Sequence, residues 1–129
     1  MSKQRVFISF DYDNDEDIKI MLAGQAKFPD SPFDFTDASV KEHLPGDWRE
    51  KVKRRLGNCD QLIVLCGPYT HTARGVADEL EIAQEIGLPY FHLQGRTNVT
   101  CYQPTTAKPE DKMYNWTWDN LKVLIAGGR

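Results

Sequence analysis

The chain has 129 residues, 40% hydrophobic and 27% charged, which suits one folded domain with a real core and leaves little room for a second. Its 16 basic and 19 acidic residues leave a net charge of −3, so no basic stripe for nucleic acid is expected. No apolar run nears the ~20 residues that span a bilayer, no signal-peptide core follows Met1, and the three cysteines form no CxxC pair. The expectation is a cytoplasmic chain, residues 1–129 as one domain, with no membrane or nucleic-acid partner, no metal and no disulfide framework.

In chain order, Val6-Phe7-Ile8-Ser9-Phe10 reads as a strand of β-branched and aromatic residues. Five acids then crowd residues 11–17, which suits a helix N-terminus meeting the positive end of the dipole. Ile18, Met21 and Leu22 carry a helical pattern towards Pro29. Phe33-Asp34-Phe35-Thr36 predicts a second strand. Asp47 with Glu50 three residues on predicts a capping box opening a helix through Trp48, Val52 and Leu56. On that helix Lys51, Lys53, Arg54 and Arg55 read as a solvated basic face.

Residues 61–66 are continuously apolar after Gln61, as in a central parallel strand covered on both faces, and Cys66 reads as a buried structural thiol. A third helix is predicted over 72–86, stopped at Gly87, and a fourth strand over 88–93. A short fifth strand over 114–117 and a last helix over 118–126 complete the series. Between them, residues 94–113 lack a clear element and are expected to form a surface excursion. This βαβ alternation predicts a three-layer α/β fold with a parallel sheet of four to five strands.

In open parallel sheets ligands sit at the carboxyl ends of the strands. There, a glycine-rich dinucleotide loop and a phosphate-binding P-loop are both absent, since Asp11-Tyr12-Asp13 follows the first strand. A phosphoacceptor receiver domain would share the acids Asp11 and Asp13, but it needs an aspartate where this chain has Cys66-Gly67. His43, His71 and His92 read as surface, loop and strand-end residues. The third helix holds the one outlier. At 100° per residue, Val76, Leu80, Ala83 and Ile86 share an arc, while Asp78, Glu81 and Glu85 face away to solvent. Glu79 falls inside the apolar arc, where burial disfavours the charged form and marks a candidate functional group. The alternative is an edge position, with Glu79 reaching out to water or pairing with Arg74.

Taken together these segments resemble a known family. Val6-Phe7-Ile8-Ser9-Phe10 with its acid-rich sequel resembles the opening of TIR domains. Phe35-Thr36-Asp37-Ala38-Ser39, Leu65-Cys66-Gly67-Pro68-Tyr69-Thr70, Gly75-Val76-Ala77-Asp78-Glu79-Leu80 and Tyr114-Asn115-Trp116-Thr117 resemble, in order, segments of the TIR-like family that includes a component of the Thoeris bacterial anti-phage system. The resemblance covers most of the chain, with 94–113 matched least. It implies a flavodoxin-like fold with strand order 2-1-3-4-5. It also implies cleavage of NAD at the nicotinamide–ribose bond, with NAD as substrate and no resident cofactor, and in some members cyclisation of the product to a signal.

The family's catalytic glutamate falls on Glu79. Ser9, Phe10, Asp11 and Tyr12, then Asp37 and Ser39, then Gly67, Tyr69 and His71, become candidate substrate contacts. Each also has a local reading, as strand end, helix cap, turn or exposed loop. The family usually has tryptophan four residues before the glutamate. Here Gly75 stands there, and Tyr69 is the candidate replacement for that aromatic wall. Self-association or a defence-system partner protein is implied too. Two other readings remain open from the sequence: a non-catalytic signalling module, and an enzyme similar to the nucleoside deoxyribosyltransferases.

Overall fold

A computed structural model describes residues 3–39 and 47–128, and of Asp37 the backbone alone. Five parallel strands form the sheet: β1 (Gln4–Phe10), β2 (Phe33–Ala38), β3 (Gln61–Cys66), β4 (Tyr90–Gln94) and β5 (Met113–Asn115), in the order β2-β1-β3-β4-β5. The helices are α1 (Tyr12–Gln25), α2 (Trp48–Gly57), α3 (Arg74–Ile86) and α4 (Trp118–Ile125). This is the flavodoxin-like topology. His43, Pro45 and Gly46 lie outside the described residues.

Strand alternation divides the core into two layers. Val6, Ile8 and Phe10 of β1, with Ile63 and Leu65 of β3, pack against Ile18 and Leu22 of α1 and Leu121, Leu124 and Ile125 of α4. Phe7, Leu62, Val64 and Cys66 face the other way, onto Val52 and Leu56 of α2 and Val76, Leu80 and Ala83 of α3. All six residues of β3 are buried, as its continuous apolar run demands. Because Ser9 sits between Ile8 and Phe10, the same alternation turns it towards α3.

Several local expectations are corrected. Asp47 precedes α2 but makes no capping bond with its side chain. The third helix starts at Arg74 rather than Thr72. Thr70–Thr72 forms a separate 3-10 turn, fixed where the Gly67 amide donates to Thr70 Oγ1 at 2.7 Å, and Ala73 is extended. Gly87, at φ 71°, ends α3 in the left-handed conformation. Arg55 is no simple member of a solvated face: it lies over the Phe7 ring at 5.6 Å and donates to the Ala38 carbonyl at 3.1 Å. Nor do Asp78, Glu81 and Glu85 simply face water. Arg49 of α2 approaches them at 3.9, 3.1 and 3.4 Å, a seam that a single-helix projection cannot show.

The stretch after β4 is the expected surface excursion, but a tethered one. Residues 95–112 have no regular element, yet they are tied into the fold. The Gly95 amide donates to the Cys66 carbonyl at 2.8 Å and the Tyr102 amide to the Gly67 carbonyl at 3.0 Å. Thr106 Oγ1 donates to the Ala77 carbonyl at 2.7 Å, and Cys101 and Ala107 pack on the α2–α3 layer. Backbone groups without a ladder must find partners somewhere, and here the end of β3 and the flank of α3 supply them.

His92 lies under this stretch in mid-strand, 1% exposed, with Nδ1 3.8 Å from Cys66 Sγ and Nε2 3.7 Å from Asp111 Oδ2. Burial pushes its pKa down to about 4, against the nearby Asp111 carboxylate, and pushes the Cys66 thiol up. The imidazole is therefore neutral at pH 7. Between about 4 and the ordinary histidine value of ~6.5, the unfolded chain holds a proton that the folded chain does not. Stability should then fall as pH drops through that window, by at most about 1.4 kcal/mol per pH unit from this group. Urea unfolding across the window should show a steeper slope for the native chain than for His92→Gln.

Candidate functional site

The site forms where β1, the end of β2 and the first turns of α3 converge. Ser39 extends β2 by one residue, its amide donating to the Ile8 carbonyl at 3.0 Å. Its hydroxyl accepts from the Phe10 amide at 3.1 Å. Glu79 projects from the apolar face of α3 and is only 6% exposed. Ser9 Oγ donates to Glu79 Oε1 at 2.6 Å, and Ser39 Oγ donates to the same oxygen. The carboxylate thus neither reaches out to water nor pairs with Arg74, which is exposed at the start of the helix. Two hydroxyl donors offset the cost of burying the charge.

A cleft of about 220 Å³ opens beside it, bounded by residues 10–14 on one side and 72–76 on the other, with Glu79 contributing from the buried side. Asp11 is the N-cap of α1. Its carboxylate accepts from the Asp13 amide at 3.2 Å and from Asn14 Nδ2 at 2.6 Å, which fixes this wall. The Phe10 ring belongs to the α1–α4 core layer and is 1% exposed, so accessible aromatic surface here comes from Tyr12, 36% exposed and 5.7 Å away ring to ring. Among the described residues, no three potential metal ligands cluster anywhere.

The nine candidate contacts therefore separate. Ser9 and Ser39 hold Glu79, and Phe10, Asp11 and Tyr12 line the cleft. Gly67, Tyr69 and His71 stand off its lining. Gly67 packs against the Asp15 carboxylate, so closely that a Cβ would collide with it. Tyr69 is 54% exposed and lies off this lining, and His71 packs tilted against Tyr102 with ring centroids 4.2 Å apart. Of the Asp37 side chain nothing is described; its backbone pairs with Phe7.

Sequence reasoning missed Asn14 and Thr72 as lining residues, and it missed Arg96. The Arg96 guanidinium donates to the Asn14 carbonyl at 3.1 Å, to Asp15 Oδ1 at 3.2 Å and to Asp17 Oδ1 at 2.7 Å. It braces the first turn of α1 behind the cleft wall from 79 or more residues away in the chain. The only local signal was an inconsistency, an aspartate facing inwards from a helix. Asp15 is fully buried and breaks the helical geometry at φ −124°, ψ 17°, instead of meeting the dipole from the surface.

Removing either serine hydroxyl strips a donor from a buried carboxylate. Ser9→Ala and Ser39→Ala should each destabilise the fold by about 1.5–3 kcal/mol in urea unfolding. Ser39→Ala should cost more, because the Phe10 amide loses its acceptor as well.

Fold and site together define a flavodoxin-like α/β domain with a hydroxyl-held glutamate beside a cleft at the carboxyl edge of its sheet. The family model described as Thoeris protein ThsB, TIR-like domain, matches residues 7–99, and the chain belongs to that family. The matched stretch runs from β1 past β4, so it takes in Ser9, Ser39 and Glu79. No curated protein matches the chain. Among the described residues, no helix is long and apolar enough to cross a membrane.

Proposed function

We propose that this chain is a TIR-like NAD-processing enzyme that cleaves the nicotinamide–ribose bond, acting in bacterial anti-phage defence. The observation that carries this reading is the buried Glu79 carboxylate, held by Ser9 and Ser39 at the edge of an otherwise open cleft. In NAD the nicotinamide ring is already cationic, so its departure needs no general acid. The C1′–N bond breaks, and its electron pair neutralises the ring nitrogen. The oxocarbenium-like ribose left behind is stabilised by a nearby carboxylate. Water then adds to C1′ and releases its proton to solvent. Attack by an adenine nitrogen of the same molecule gives a cyclic ADP-ribose-type signal instead.

NAD enters as a substrate, and the partners this reading implies are further copies of the chain or a second defence protein. The test is nicotinamide release from NAD by the purified chain, including at high protein concentration, alongside Glu79→Gln. No release, or equal release by the variant, sinks the proposal.

Two observations favour a second reading, that of a non-catalytic signalling module. Both serine hydroxyls already engage Glu79 Oε1, an arrangement that also serves a purely structural carboxylate, and Gly75 leaves the cleft without its expected aromatic wall. On that reading Glu79→Gln leaves signalling in cells unchanged.

A further inference from the structure

Resting on the NAD reading of the cleft, we infer that Arg74 is the substrate-discriminating residue, one that engages the diphosphate of a dinucleotide and so selects it over a nucleoside that lacks phosphate. The cleft measures about 220 Å³, smaller than the ~300–1,000 Å³ of pockets that enclose a drug-sized ligand. It can take the nicotinamide riboside part of the substrate, and the rest must lie across the rim. The described lining carries three carboxylates, Asp11, Asp13 and Glu79, and a single cation, Arg74. Acids alone would repel a diphosphate, so charge balance at the rim falls to that one guanidinium.

Its placement fits the task. Arg74 is exposed, and it makes no ion pair with any described carboxylate. Of the other described cations near this edge, Arg96 is committed to Asp15 and Asp17 and Arg55 to the Ala38 carbonyl, while Lys19 lies over the Phe10 and Phe35 rings and off the cleft lining. Arg74 opens α3 and Glu79 stands five residues on, about 7.5 Å along the axis and about 140° around it; both border the cleft, Arg74 from the exposed rim and Glu79 from the buried side. With C1′ held at the buried Glu79, the phosphates leave towards the rim, where the long Arg74 side chain meets them and its forked donors suit their oxygens. No carboxylate occupies the first turn of α3 to compete for it.

The test compares binding of NAD and of nicotinamide riboside, which lacks phosphate, to the intact chain and to Arg74→Ala and Arg74→Lys, by titration calorimetry or ligand-observed NMR. Arg74→Ala should weaken NAD at least about tenfold, leave nicotinamide riboside, itself a cation, bound no more weakly, and keep the unfolding midpoint. Arg74→Lys should recover part of the NAD affinity, because the charge remains. NAD affinity unchanged in Arg74→Ala, or both ligands weakened alike, overturns the inference while leaving the NAD reading intact. Failure of the native chain to bind NAD at all overturns that reading and this inference with it. Tighter binding of nicotinamide riboside than of NAD by the native chain also overturns it, and points to nucleoside chemistry.

Discussion

Glu79→Gln should lower nicotinamide release from NAD by roughly 10²–10³-fold, the range expected when one electrostatic stabiliser is removed from an active site. The substitution is nearly isosteric, and the new amide oxygen can still accept from both Ser9 and Ser39. The unfolding midpoint should therefore move little, and lost activity cannot be blamed on lost fold. What disappears is the negative charge beside the cleft. Ser9→Ala offers the converse case. It keeps the charge and loosens its support, so it should cost stability first and turnover less. The pair is informative only together. If Glu79→Gln retains activity while Ser9→Ala loses stability, the glutamate is a structural carboxylate; no release by the native chain, with Ser9→Ala still losing stability, favours the signalling-module reading.

The second large effect is expected at Arg96→Ala, which should destabilise the domain by roughly 3 kcal/mol, near the lower end for removing one partner of a buried ion pair. The lower end applies because the Arg96 side chain is 26% exposed while that of Asp15 is fully buried. Burial raises the Asp15 pKa, and the Arg96 guanidinium partly opposes that rise. Deleting the arginine raises it further. An acid whose folded pKa lies above its unfolded value contributes stability below the unfolded pKa, and that contribution is lost as pH rises through the folded one. The deficit of Arg96→Ala should thus be greatest near neutral pH and shrink as the medium becomes acidic enough to protonate Asp15. Urea unfolding at several pH values reads this directly, and Asp15→Asn in the same chain should recover much of the loss. A deficit independent of pH would place the role of Arg96 in packing. Because Arg96 also holds the Asn14 carbonyl, weaker NAD binding should accompany the instability.

Much of this protein could be read one residue at a time. Strand β3 was legible because a strand covered on both faces shows an unbroken apolar run, here Leu62 to Cys66. The stop at Gly87 was legible because a left-handed residue after a helix favours glycine. Glu79 stood out because a carboxylate in an apolar arc is costly wherever the helix packs. These features depend on local geometry and on solvent, both of which a sequence carries. Family likeness then linked Glu79 to NAD chemistry, and the match over residues 7–99 establishes the family.

Other features could not be read this way, because they depend on pairs of residues brought together across the chain. The sequence offered Arg74 or water as partners for Glu79; the folded chain supplies Ser9 and Ser39, 70 and 40 residues away. The stretch after β4 looked like a surface excursion because its partners, Asp15, Gly67 and Ala77, lie on three other segments. Tyr69 looked placed to wall the cleft, yet the turn at Thr70–Thr72 leaves it exposed off the lining. By itself, then, the sequence determined the layers, the parallel sheet and the identity of the unusual carboxylate, since hydrophobic period and helix stops act over a few residues. Which groups hold that carboxylate, which arginine faces the cleft and which braces its wall were decided by the tertiary structure alone, because hydrogen bonds and charges act over a few ångströms in space regardless of separation along the chain.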